Sequence, residues 1–487
     1  MKRLFTFFVC VSSSFFAPVS AFAMYFEQEK PACPDSLLSS KLHFPIEDGI
    51  VMADSISESL FGTTSNPLTS EVGAFSSATG GEPRYLAVGG SLTAGVRNGG
   101  LYRFAQLTSF PNLIARQMAL KDFIQPLFKH DEENGSEYFK LTRKGPFPTF
   151  RKVAGSSAII QPEPLTFNAY SGRVDNLGLP FAGIYAFGDR QDWRHNCDLI
   201  PSIPYDFSYR HFFRRYLSES GNSQWDTSVL DYALNQKSDL CTIELGMDDF
   251  IVYATTGGYK TSSLPFAAIN EEGNPLIQLL TRLKNAGTKV ILATVPDIID
   301  FPYFHFVTPS MARQHNGDAA LYAMISDDLF EKSKGSPQFL TEIKDTDLLL
   351  PTKNIEALFS SSEIKRGILP QKPLESKDVL TEDELGVFDI NKSLNDLIRN
   401  LAVKFEYPVI DLHGVYRSIL DGQFVTDDGV KIDPSYPNGN FFSDDGLHPT
   451  ALGQAVLANE WIKVINKHYA TRIPLLRTSE FSQFQKH

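Results

Sequence analysis

Cysteine is scarce, with four in 487 residues, and no two of them stand at CxxC spacing. A zinc site built on thiolates is therefore not indicated. Basic charge is also short: 45 Lys+Arg face 57 Asp+Glu, a formal charge of -12. That balance argues against the broad phosphate footprint of a DNA- or RNA-binding protein. Beyond the first residues no stretch offers 18 uninterrupted apolar side chains, so no membrane-spanning helix is expected. No repeat of fixed period is visible, which sets solenoids and propellers aside. What is present is 42% hydrophobic, 12% aromatic and 21% charged, enough to bury one large core or two ordinary ones and unlike a disordered or collagen-like chain.

The N-terminus has its own logic. Lys2 and Arg3 precede an apolar run from Leu4 to Phe16, and Ala21-Phe22-Ala23 places small residues where a signal peptidase reads. Residues 1–23 are thus expected to be a secretory signal, and the mature chain to be secreted or periplasmic. Cys10 would leave with the signal. Of the remaining three, Cys241 lies in the apolar stretch Leu240-Cys241-Thr242-Ile243 and reads as a buried small hydrophobe. Cys33 and Cys197 are then the expected pair.

Residues 24–83 are crowded from Asp54 onward with Ser, Thr, Gly and Glu and read as a flexible arm. The folded body is expected over 84–470, with a tail over 471–487. Arg84-Tyr85-Leu86-Ala87-Val88 is a β-prone run halted by Gly89-Gly90-Ser91, and Asp239 to Leu245 repeats the pattern before Gly246. Asn274 as N-cap, Pro275 at the first helical position, spaced leucines and Gly287 spell a helix, and Lys289 to Val295 the strand after it. Thr381-Glu382-Asp383-Glu384 is a capping box opening another helix, followed by the strand Val409 to Leu412. A final helix runs from about Ala451 to Lys467. Strands separated by helices predict an α/β fold, a three-layer α/β/α sandwich on a mainly parallel sheet, with its chemistry at the carboxyl ends of the strands. The long stretches 103–170, 186–230 and 306–380 are expected to be insertions over one end of that sheet.

Three places could carry chemistry. Gly89-Gly90-Ser91-Leu92-Thr93-Ala94-Gly95 offers a hydroxyl on a glycine-rich bend, which could equally be a helix cap or an anion-binding turn. Asp444-Asp445-Gly446-Leu447-His448-Pro449 sets a carboxylate three residues before a histidine, a spacing that lets Asp445 reach the imidazole Nδ1. Asp444 is the weaker partner. A serine hydroxyl needs such an oriented imidazole to remove its proton. Lesser candidates are His413 beside Asp411, the aromatic run Phe301, Tyr303, Phe304, His305 and Phe306, which suits core packing better than a pocket, and Asp427, Asp428 and Asp433, which suit a solvated turn better than a Ca²⁺ loop.

With an Asn-x-Gly block at Asn176-Leu177-Gly178 and a GxND-like block at Gly246-Met247-Asp248-Asp249, the order of motifs resembles the SGNH, or GDSL-type, hydrolase family from Arg84 to Lys467. The closest likeness is to an exported bacterial subgroup with a GxSLTAG turn and a Ser-x-Pro-Asn helix start, here Ser109-Phe110-Pro111-Asn112. The resemblance implies Ser91 as nucleophile, His448 as base, Asp445 as its orienter, and an oxyanion hole from the Ser91 and Gly178 backbone N–H groups. It also implies a serine ester hydrolase of lipase or esterase type, acting on a small-molecule, lipid or glycan ester with no cofactor and no metal. The chain departs from the pattern twice. Asp248 stands where the family has an asparagine amide donor to the oxyanion hole, and an ionised carboxylate accepts hydrogen bonds but donates none. Gly90 stands where the family often has Asp or Asn. Protonation of Asp248, sufficiency of the two backbone donors, or loss of activity would each answer the first departure. The rival functions are therefore a binding protein on an impaired hydrolase scaffold and an acyltransferase using the same triad.

Overall fold

Five short runs of mostly buried residues pair into one wholly parallel sheet: β1 (Tyr85–Gly89), β2 (Asn176–Gly178), β3 (Leu240–Glu244), β4 (Lys289–Ala293) and β5 (Val409–Ile410). Their spatial order is β5-β4-β3-β1-β2. Every residue of β1, β2 and β3 is buried, the pattern of strands covered on both faces. This computed structural model describes residues 46–52, 61–67, 69–75, 81–143, 147–162, 165–187, 209–217, 228–258, 274–360 and 365–484, all within one compact unit. The expected signal over 1–23 and the Cys33–Cys197 pair lie outside the described residues. Cys241 is a free thiol, fully buried in β3.

The helices sit where capping chemistry places them. Asn274 accepts the Leu276 N–H at 2.9 Å and opens the helix Pro275–Asn285, and Gly287 turns out of it at φ +76°. Thr381 and Glu384 form the expected capping box. The long helix Ala451–Tyr469 starts from Thr450, whose hydroxyl accepts the Gly453 N–H at 3.1 Å; it packs against the helix Phe110–Gln117 through a Phe110–Trp461 stack at 5.4 Å. On other contacts Pro275–Asn285 packs against Ile390–Phe405. The result is the α/β/α sandwich that the alternation of elements predicts.

Two stretches differ from their sequence reading. Within the expected flexible arm, Ile46–Val51 is a strand paired in parallel with Thr149–Val153, and Phe61 and Phe75 are buried in the main core, Phe75 against Tyr469 at 5.2 Å. In the expected tail, Thr478–Phe484 forms a 3-10 helix whose Phe481 and Phe484 are buried, with Phe61 edge-on to Phe481. Low periodicity hid these anchors because single aromatic residues, spaced irregularly, do the packing. The insertion carrying Phe139–Arg143 lies against loops at the carboxyl end of the sheet: Phe139 N–H reaches the Asn98 carbonyl at 2.9 Å and Leu141 N–H reaches Asp444 Oδ2 at 3.0 Å.

Candidate active site

The order β5-β4-β3-β1-β2 reverses direction between β1 and β3. In an open α/β sheet that switch point leaves a crevice beyond the carboxyl ends of the strands. Ser91 follows β1 and Asp248 follows β3, so the topology brings these two together from 157 positions apart, with the Ser91 N–H donating to Asp248 Oδ2 at 2.7 Å. Ser91 opens a single helical turn, Ser91–Ala94, that ends at Gly95 in the left-handed region. Its N–H is thus one of the donors at a helix start that have no partner within the helix. Its Oγ accepts the Phe181 N–H at 3.0 Å.

Asp445 and His448 meet as their spacing predicts. His448 Nδ1 lies 2.8 Å from Asp445 Oδ2, and both side chains are essentially unexposed. Asp445 also accepts from Gly99 N–H (3.0 Å), Ser443 Oγ (2.9 Å), Leu447 N–H (2.9 Å) and His448 N–H (2.8 Å). Burial pushes its carboxyl up, but the His448 charge and these donors outweigh it and hold it below the usual carboxylate range. His448 Nε2 is buried with no hydrogen-bond partner, so the Ser91 hydroxyl is bonded to Phe181 and not to the imidazole. Asp444 faces elsewhere, toward Leu141 N–H.

The expected second backbone donor requires a correction. Gly178 donates its N–H to the Oδ1 of its own neighbour Asn176 at 3.0 Å, and a side chain at Gly178 would strike the Ala94 backbone N at 2.2 Å. Gly178 therefore packs behind the Ser91 turn. Phe181 supplies the N–H at Ser91 instead. It occupies the third position of a turn in which Ala182 N–H returns to the Leu179 carbonyl at 3.0 Å, and its φ is +64°. Pro180 before it suits the second position of a type II turn, whose third position demands positive φ. The Pro180 signal was in the sequence, but a phenylalanine in the place of the usual glycine concealed it. Left-handed backbone at a non-glycine residue costs roughly 1–2 kcal/mol and is found where surrounding structure enforces it, often at functional sites.

Three carboxyls are buried beside the Ser91 turn. Burial raises Asp248 to about 6, against the opposing pull of the Ser91 N–H, the His448 charge, the Ser91 hydroxyl and the Phe181 N–H. Asp248 Oδ1 is buried and unpartnered. Glu244, which accepts from Thr93 Oγ1 at 2.9 Å, is pushed up to about 8 by burial and then by the Asp248 charge. Asp249, which accepts the Ile184 N–H at 2.9 Å, is raised by burial to about 7. The two departures from the family pattern also fit each other. A Cβ at Gly90 would lie 2.3 Å from Asp248 Oδ2, so the carboxylate fills the space that a side chain at position 90 would need.

The lesser candidates fall away from this centre. His413 Nε2 pairs with Asp297 Oδ2 at 2.8 Å, while Asp411 takes Thr294 Oγ1 at 3.0 Å. Phe301, Tyr303, Phe304 and Phe306 are buried core residues, Phe301 stacking on Tyr416 at 5.2 Å. His305 Nε2 lies 2.9 Å from the Ile299 carbonyl. Asp427 pairs with Lys463 at 2.6 Å, Asp428 accepts Thr426 Oγ1 and Ser479, and Asp433 accepts the Ser435 N–H. Among the described residues no cluster of three metal-ligating side chains occurs, and no helix is long and apolar enough to cross a membrane.

A family model for GDSL-like Lipase/Acylhydrolase matches residues 85–461. Comparison with curated proteins and with solved structures gives no match.

Proposed function

The chain belongs to the GDSL-like lipase/acylhydrolase family, and we propose that it is a serine ester hydrolase working through an acyl-serine intermediate. The observation that carries the reading is the buried His448, tied at Nδ1 to Asp445 and unpartnered at Nε2. That is the tautomer and the vacancy a general base requires. As Ser91 Oγ attacks the ester carbonyl, its proton passes to His448 Nε2. The carbonyl oxygen becomes an oxyanion within reach of the Ser91 and Phe181 N–H groups. Collapse expels the alcohol, which takes the proton back from His448. Water then repeats the cycle on the acyl-serine and releases the acid.

Asp248 sets the terms of this reaction. As a carboxylate it holds the Ser91 N–H and would repel the oxyanion. Protonated on its unpartnered Oδ1, it becomes a donor in the role of the family's amide, as other carboxylic acids kept neutral by burial do. The charged and basic start of the chain, Lys2 and Arg3 before the Leu4–Phe16 run, supports placing the enzyme outside the cytoplasm.

A fluorophosphonate probe tests the reading: labelling of the wild type at Ser91, lost in Ser91→Ala, is expected. The second reading, a binding protein on the same scaffold, is favoured by the 2.7 Å contact through which Asp248 occupies the Ser91 N–H. Absence of labelling across pH 5–8 would select it.

A further inference from the structure

Arg97 is fully buried, three residues past the nucleophile turn. Removing a guanidinium from water costs several kcal/mol unless its surroundings repay it, so its position calls for a physical reason. Its Nε donates to the Pro449 carbonyl at 3.2 Å, next to His448, and its Nη2 donates to Thr108 Oγ1 at 2.9 Å. Burial lowers its proton affinity, while Tyr102 beside it and the Asp445 charge oppose that. The turn it begins is stapled to the acid–base loop by three more bonds. Asn98 N–H donates to Ser443 Oγ at 3.1 Å, Asp444 N–H donates to Asn98 Oδ1 at 3.0 Å, and Gly99 N–H donates to Asp445 Oδ2 at 3.0 Å. The turn closes on itself through paired bonds between Arg97 and Gly100.

We propose that Arg97 is a positioning residue for the His448–Asp445 pair: it fixes the loop through the Pro449 carbonyl, and its buried charge opposes uptake of a proton by the pair. This rests on the serine hydrolase reading for its purpose, though not for its physics. A buried cation favours the negative carboxylate and disfavours a second positive charge on the imidazole, so both effects oppose uptake of a proton by the pair. The other titratable groups facing the pair are Tyr102, Asp444 and Tyr436 around Asp445, and Asp248 near His448, with Lys140 facing Asp444. Asp444 and Asp248 pull the opposite way, and Arg97 is the fully buried cation that opposes them.

The test compares Arg97→Lys and Arg97→Met with the wild type by NMR titration of the His448 imidazole and by the pH profile of ester hydrolysis. Arg97→Met should titrate at higher pH than wild type, its acid limb should move up with it, and kcat should fall about tenfold with KM unchanged, as for lost partners that orient a reacting group. Arg97→Lys, which keeps the charge and loses the fork, should retain the wild-type midpoint while kcat falls. A wild-type midpoint in Arg97→Met overturns the electrostatic role. If that variant does not fold, Arg97→Lys decides: wild-type kcat there overturns the positioning role. A shifted midpoint in a protein that no fluorophosphonate labels would keep this inference and reject the hydrolase.

Discussion

Asp445 and Asp248 are both fully buried, yet they are driven in opposite directions. Asp445 accepts five hydrogen bonds, from three backbone N–H groups, Ser443 Oγ and the His448 imidazole, and its proton affinity falls below the ordinary value. Asp248 holds the Ser91 N–H on one oxygen, leaves the other without a partner, and rises to about 6. Burial by itself does not decide the charge of a carboxyl; the donors aimed at it do. The region around His448 is built to keep a charge, and the region around Ser91 is built to lose one. Glu244 and Asp249, raised by burial to about 8 and about 7 beside Asp248, bring that second region to three buried acids.

The contrast breaks most sharply at Asp445. Asp445→Asn preserves shape but no longer favours the tautomer that leaves Nε2 free, and ester turnover should fall by about 10⁴. A variant with near wild-type kcat would show that the five-donor cage is structural. Next is Asp248→Asn, which replaces the orphan oxygen with an amide donor while leaving an acceptor for the Ser91 N–H. At pH 8, where Asp248 is ionised, kcat should rise, by about 10²-fold if one full oxyanion donor is gained, and the advantage should shrink as pH drops below about 6. An equal or lower rate would mean the aspartate is no impaired donor. The smallest effect is on stability. Glu244, Asp249 and Asp248 hold protons in the folded protein at pH values where an unfolded chain has released them. Folding therefore takes up protons, and stability rises as pH falls from about 8 toward the ordinary carboxylate range. Asp445 acts in the reverse sense only at lower pH, where its unfolded carboxyl begins to protonate. Thermal melts should thus show a Tm a few degrees higher at pH 5.5 than at pH 8, and Glu244→Gln should flatten the upper part of that slope. A Tm that climbs with pH over this window would contradict the raised proton affinity of these three carboxyls.

Much of this was legible from residues alone. Tyr85 to Val88 and Leu240 to Ile243 announce covered strands, Asn274-Pro275 and Thr381 to Glu384 announce helix starts, and the three-residue step from Asp445 to His448 puts the two side chains within reach of each other. Local chemistry writes these features, and local sequence reports them. The resemblance points to the Gly178 N–H, and the fold gives that N–H a nearer acceptor in the Asn176 side chain two residues before it.

The sequence determined the α/β alternation, a serine on a glycine-rich bend at Ser91, the spacing that pairs Asp445 with His448, and an acid at position 248. Tertiary structure alone decided the rest: that strand order reverses beside Ser91, that Phe181 in a left-handed turn brings the second N–H, that Gly90 makes room for Asp248, and that Arg97 braces the histidine loop from 352 positions away. The physical reason is range. Propensity and capping act within a few residues, whereas the charge state of a buried carboxyl is set by whichever donors the fold delivers to it from anywhere along the chain.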